Sequence, residues 1–188
     1  MPILGILASS RPAFELVGSY DSLATVTLSA NTNTITFAGI PAGYKHLQLR
    51  YLSRSTRSSA SDSVSFRFNG DSGSNYARHI LYGDGSSAGA VATTSSTLIN
   101  CGLGAGASAG ASMFGGGVVD ILDYTSTTKN KTIRTLTGVD VNGSGGDLRL
   151  GSGLWFATPA AINSVTIYAQ DGSADFVQYS SFALYGIK

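Results

Sequence analysis

The sequence predicts an all-β chain: a single antiparallel β-sandwich, residues 16–188, behind an N-terminal arm, residues 1–15, with long loops rich in Gly, Ser and Ala. Two observations carry that prediction. Apolar and polar residues alternate with a period of two in nearly every segment that looks ordered, the mark of half-buried strands. Turn signals separate these segments at roughly 8–12-residue spacing, as in sandwiches. A third observation is negative: no segment carries a capped amphipathic stripe, and the best helical candidate is a turn or two around Thr158 to Asn163.

The elements follow in chain order. The opening MPILGILASSR has no charged side chain before Arg11. Left bare on a free end, Ile3, Leu4, Ile6 and Leu7 would make a sticky tail, so the arm is expected to dock through them on its own domain, a sister subunit or a larger assembly, with another chain favoured over a strap on its own sandwich. LATVTLS and TITFA are the first strand candidates. In HLQLRYLSR, Leu47, Leu49 and Tyr51 share one face, opposite His46, Gln48, Arg50 and Arg54. SVSFRF turns Val64, Phe66 and Phe68 inward and Arg67 outward; SVTIYA sets Val165, Ile167 and Ala169 against Thr166 and Tyr168. YARHIL, STLINCGL, MFGGGVVDILDY, KTIRTLTGVD, DLRLGS with GLWFA, and SSFALYGIK bring the expected number of strands to about ten or eleven. Asn31 to Asn33, Asn69-Gly70, Asp84-Gly85, Asn142-Gly143 and Asp171-Gly172 tolerate positive φ and predict antiparallel hairpins. Between Tyr82 and Gly117 the composition shifts to small residues, which reads as long surface loops flanking one or two strands.

Composition narrows the function classes. A chain of 188 residues fits one domain and buries roughly 70% of its unfolded surface. With 43% hydrophobic residues it is expected to fold, not to stay disordered. A net charge of +1 with only 12% charged residues argues against electrostatic nucleic-acid binding. Cys101 is the single cysteine, so no intrachain disulfide or all-cysteine metal cluster is available, and a buried thiol is expected. The first residues lack the basic start and long apolar run of a secretory signal, and no stretch of about twenty apolar residues offers a membrane span.

Candidate chemistry is sparse. His46 and His79 both lie in predicted strands beside apolar neighbours and are expected to be ordinary strand residues. Serine is too abundant to single out a nucleophile, and no strand-to-helix elbow surrounds one. Two loosely dinucleotide-like glycine spellings, at Gly83 and Gly102, have no helix after them to meet a pyrophosphate. The loops FNGDSGSNY and DVNGSGGD space side-chain oxygens at Asn69, Asp71, Ser74 or Asn75, and at Asp140, Asn142, Ser144 and Asp147; a calcium loop needs a closing glutamate, and the sole one is Glu15, so Asx turns are expected. Arg50, Arg54, Arg57 and Arg67 are expected to share a solvated sheet face or edge. Tyr76, Tyr82 and Trp155, close to loops, are the candidates for a glycan-facing platform. No catalytic residue, cofactor site or metal site is assigned.

Taken together, the opening MPILGILASS, the segments ATVTL and ITFAGIPAGYKHLQLR, the loop FNGDSGSNYARH, VVDILDY with KNKTIRTLTG, and the ending QYSSFALYGIK resemble a family of small virion proteins of tailed phages, especially phages of cyanobacteria. The resemblance implies a jelly-roll-like sandwich carried on the virion exterior, as a head decoration (cement) protein or a tail-fibre part, and no catalytic residues. The expected function is therefore a capsid decoration protein bound to the major capsid protein. A tail-fibre or receptor-binding module recognising host glycan, held by other tail proteins, is the alternative, and a polysaccharide-degrading enzyme the third. A homotrimer is expected, since such domains gather at local threefold sites. The implied location is the virion, the head surface before the tail, after synthesis in the host cytoplasm, with no nucleic-acid or membrane partner.

Overall fold

The computed structural model describes residues 18–142 and 145–188; the arm positions Ile3, Leu4, Ile6 and Leu7, and with them Gly143 and Ser144, lie outside the described residues. Among the described residues twelve strands form: β1 (Tyr20–Thr27), β2 (Thr34–Ala38), β3 (His46–Ser53), β4 (Ser61–Phe68), β5 (Tyr76–Gly83), β6 (Ala88–Ser96), β7 (Ile99–Ala105), β8 (Gly115–Ile121), β9 (Lys131–Val139), β10 (Asp147–Trp155), β11 (Ser164–Ala169) and β12 (Ser181–Ile187). They make an eight-stranded sheet, β1-β12-β3-β8-β9-β10-β5-β6, and a four-stranded sheet, β2-β11-β4-β7. Every pairing between these strands is antiparallel. The all-β sandwich is as expected. Its unequal division is new.

The strands form where alternation predicts them. Leu47, Leu49 and Tyr51 of β3, Val64, Phe66 and Phe68 of β4, and Val165, Ile167 and Ala169 of β11 are all buried between the sheets. The core is richest in aromatics at two places. Trp155 stacks on Tyr76 at 6.4 Å between ring centroids and tilts against Phe68 at 5.8 Å, while Phe176 meets Phe182 edge-on at 4.9 Å. At Gly153 the sheets approach too closely for a side chain: a Cβ there would stand 2.6 Å from Ile99 Cγ2 and 2.8 Å from Ile133 Cγ1.

Two expectations about local structure need correction. Residues Thr158 to Asn163 form no helix. Their backbone groups are met from outside: the Ile162 amide donates to the Tyr124 carbonyl at 2.8 Å, and the Asn69 side chain donates to the Ala161 carbonyl while accepting from the Asn163 and Ser164 amides. The turn pairs are not all hairpins either. Asp84-Gly85 joins β5 to β6, and the segment that holds Asn142 links β9 to β10, each within one sheet. Asn69-Gly70, Asp171-Gly172 and the Asn31 to Asn33 segment instead carry the chain from one sheet to the other. Asn69 and Gly70 both adopt positive φ, 51° and 68°, so the same backbone preference that closes hairpins turns a sandwich corner.

Candidate interaction surface

On each strand of the eight-stranded sheet one set of side chains packs inward and the alternate set faces out. The outward set contains large apolar residues where solvent-facing polar ones are normal. Cross-strand register assembles them into rows. One row runs Arg50, Val118, Leu136, Leu150, Leu81 and Ala90 across β3, β8, β9, β10, β5 and β6. The next runs Leu52, Gly116, Gly138, Leu148, Gly83 and Ala88 across the same strands. Leu52, Leu81, Leu136, Leu148 and Leu150 are each 54–60% exposed, and Val118 is also exposed.

The glycines in the second row shape the surface. A Cβ at Gly116 would touch Leu52 Cδ2 at 3.4 Å, and one at Gly138 would press on Leu148 Cδ1 at 3.3 Å. The leucines thus lean over bare backbone. Toward β6 the face deepens into a groove of about 690 Å³, lined by Leu81, Ala90, Val91, Leu150, His79 and Arg134.

A polar rim borders the apolar rows. Gln48 donates to Asp120 Oδ1 at 2.8 Å, Arg50 Nε donates to Gln48 Oε1 at 2.7 Å, and Arg134 pairs with Asp120 at 3.2 Å. The Arg50 guanidinium lies over the Tyr20 and Tyr185 rings, 5.2 and 4.9 Å from their centroids. An apolar centre with tyrosine, arginine and charge around it is the anatomy of a protein–protein interface.

The remaining candidates fall elsewhere. Tyr76 and Trp155 are buried and serve the core, so a platform of Tyr76, Tyr82 and Trp155 does not form; only Tyr82 is exposed. The reason is parity: Trp155 occupies the inward phase of β10, and its indole Nε1–H donates to Asp71 Oδ2 at 2.7 Å. The four arginines do not share a face. Arg50 lies on the outer face of the large sheet, and Arg67 lies over Tyr168 on the small sheet. Arg57 pairs with Asp62 at 3.2 Å, and Arg54 donates to the carbonyls of Ala107, Ala109, Gly110 and Met113.

Several side chains of the types catalysis uses are held in structural bonds. His46 Nδ1 accepts from the Asp123 amide at 2.9 Å. His79 and Ser152 are cross-strand neighbours, but no hydrogen bond joins them, and Asp120 is held by Gln48 and Arg134. Burial pushes the Cys101 thiol up to about 12, which keeps it protonated and unreactive. In the first Asn/Asp loop, Asp71 accepts from the Gly73 amide, the Asn75 amide group and Trp155; in the second, Asp140 accepts from the Asn142 amide. These are Asx-type arrangements. No group of three His, Cys, Asp or Glu side chains placed to hold a metal occurs among the described residues. Among them no helix is long and apolar enough to cross a membrane.

Sequence reasoning missed the apolar face. Its signal was present in KTIRTLTGV and DLRLGSGLW, where leucines alternate in phase with one another and out of phase with Ile133 and Trp155. No protein-family model matches this chain, and no curated protein and no solved structure is significantly similar to it.

Proposed function

We propose that this protein is a structural component of a tailed-phage virion, a capsid decoration protein that seats the outer face of its eight-stranded sheet on the assembled head. The observation that carries the reading is the contiguous exposed apolar surface built by Val118, Leu136, Leu148, Leu150, Leu81 and Leu52. Such a face is costly to leave in water and is stabilised by covering it. The resemblance of the sequence to small phage virion proteins supplies the kind of partner.

A protein that binds only the assembled lattice stabilises that lattice by mass action, and needs no reaction to do so. In this reading the arm residues Ile3, Leu4, Ile6 and Leu7 provide a second grip on the major capsid protein. The domains gather as homotrimers at local threefold positions, where closed symmetry leaves no open-ended contact.

A low-resolution map of the virion, with this chain located by labelling, tests the proposal. Density on the head at regular lattice positions is the expected result. Density on the tail overturns the decoration reading and favours the receptor-binding alternative. Light scattering on the purified chain tests the trimer: a stable species of monomer mass, about 19 kDa, at working concentration contradicts it.

A further inference from the structure

The groove beside β6 constrains what can fill it. Cross-strand register sets a polar row next to the leucines: Asp120, Arg134, Ser152 and His79 face one another in turn across β8, β9, β10 and β5. Each stands two residues along its strand from Val118, Leu136, Leu150 or Leu81, a step of about 7 Å on the same face. The groove straddles this boundary. Leu81, Leu150 and Ala90 line its apolar part, and Arg134, Ser152 and His79, all exposed, line its polar part. Its volume of about 690 Å³ suits an apolar body fixed by a few polar contacts.

Charge on the groove is one-sided. Among its lining residues Arg134 is the sole fixed charge, and no carboxylate faces into it. Asp120, outside the groove, meets the guanidinium through Nη2 alone, at 3.2 Å, and also accepts from Gln48. No hydrogen bond ties Nε or Nη1 of Arg134 to a described residue. In the free protein these exposed donors are hydrated. Under a docked partner they lose that water, and a charged donor covered without an acceptor opposes the gain from the leucines beside it. A single carbonyl relieves one N–H; a carboxylate accepts from two and meets the charge as well.

We propose that this groove receives an acidic side chain set among apolar ones on the partner protein's surface. The carboxylate accepts from the free guanidinium donors of Arg134 and from the neighbouring Ser152 hydroxyl, while the apolar neighbours cover Leu81, Leu150 and Ala90. The inference rests on the docking reading for its partner, the major capsid protein, and adds the one charge which that partner brings to the contact. It also supplies selectivity that leucines alone lack. A basic residue at the same place would meet Arg134 in a water-excluded contact and is rejected.

Two measurements test the contact. The whole chain is first titrated with octanoate, 1-octanol and octylammonium, equal apolar bodies with different heads, and followed by amide correlation spectra. The expected result is saturable shifts at Leu81, Arg134 and Ser152 with octanoate, at an affinity about tenfold above octylammonium and about threefold above octanol. Arg134→Gln and Arg134→Glu are then compared with the wild type for occupancy of purified heads lacking the protein. The Arg134 side chain is 62% exposed, so Arg134→Gln should melt close to the wild type, and Arg134→Glu, which faces Asp120, slightly below it. Binding to heads is expected to fall about fivefold in Arg134→Gln and at least about twentyfold in Arg134→Glu. Equal affinity for the three probes, shifts confined to another surface, or wild-type occupancy by a folded Arg134→Glu protein overturns the inference and leaves apolar docking standing. Failure of the wild type itself to bind heads overturns the docking reading, and the acidic partner with it.

Discussion

Asp71 shows how one side chain fixes a corner of the sandwich. Its carboxylate accepts from the Trp155 indole at 2.7 Å, from Asn75 and from the Gly73 amide, and so ties the loop after β4 to the end of β10. Burial alone would raise the carboxyl's pKa, but the bonds from Trp155, Asn75 and Gly73 together outweigh it and hold it below the usual carboxylate range. A depressed folded pKa contributes stability that is present above the unfolded pKa and is lost as pH falls through the folded one. Asp71→Asn is therefore expected to lower the melting temperature near neutral pH. The gap between variant and wild type should close as pH falls through and below the usual carboxylate range; a gap of constant size there contradicts the assignment. Asp71→Ala should cost about 2–3 kcal/mol in chemical denaturation, because it leaves the Trp155 N–H buried without an acceptor.

Close approach and loop anchoring decide stability among the elements. Gly153 lets β10 pass over Ile99 and Ile133, so Gly153→Ala forces a methyl into contacts of 2.6 and 2.8 Å and is expected to cost about 1–3 kcal/mol by thermal or urea unfolding. Unchanged stability would mean the core yields there. The loop between β7 and β8 depends on Arg54, whose guanidinium bonds four carbonyls at 2.8 to 3.0 Å. Lysine lacks the planar fork needed to reach them together. Arg54→Lys is expected to raise amide exchange and protease cleavage in residues 106–114 with little effect on strand protection; equal protection of that loop in variant and wild type contradicts this role. The loop between β8 and β9 gathers around charge instead. Lys45 and Lys129 both bond Asp123 and hold its carboxyl down to about 2, while the buried Lys131 ammonium donates to the Ser126 and Lys129 carbonyls at 2.6 Å.

These elements also mark where sequence patterning is informative. Strands with one clean apolar phase, such as β3, β4 and β11, are legible because burial on one face imposes the alternation. β6 carries no such signal and reads as part of the small-residue loops: AGAVATTSS is an edge strand with most of its residues exposed, so no face imposes a pattern on it. In β10 two phases compete. Taking Leu148 and Leu150 as core sends Trp155 to the surface; the structure buries the tryptophan and exposes the leucines.

At the scale of the whole molecule, sheet membership comes from long-range pairing that local patterns do not encode. The first strand pairs with the last, and the chain crosses between sheets at Asn69-Gly70 as readily as it makes hairpins elsewhere. The face of the large sheet is a product of that pairing. Leu136 and Leu150 face each other across consecutive strands, but Leu81, far earlier in the sequence, meets them only because β5 pairs with β10. The central claim is that this assembled face is what docks on the phage head. Its most direct test is occupancy on purified heads lacking the protein, comparing wild type with a Leu136→Asp/Leu150→Asp double variant. Both positions are more than half exposed, so the variant should melt close to the wild type, each change costing within about 0.5 kcal/mol. The account predicts saturating binding by the wild type and at least about tenfold weaker binding by the folded double variant. Full occupancy by the double variant, or no binding by the wild type, would contradict it.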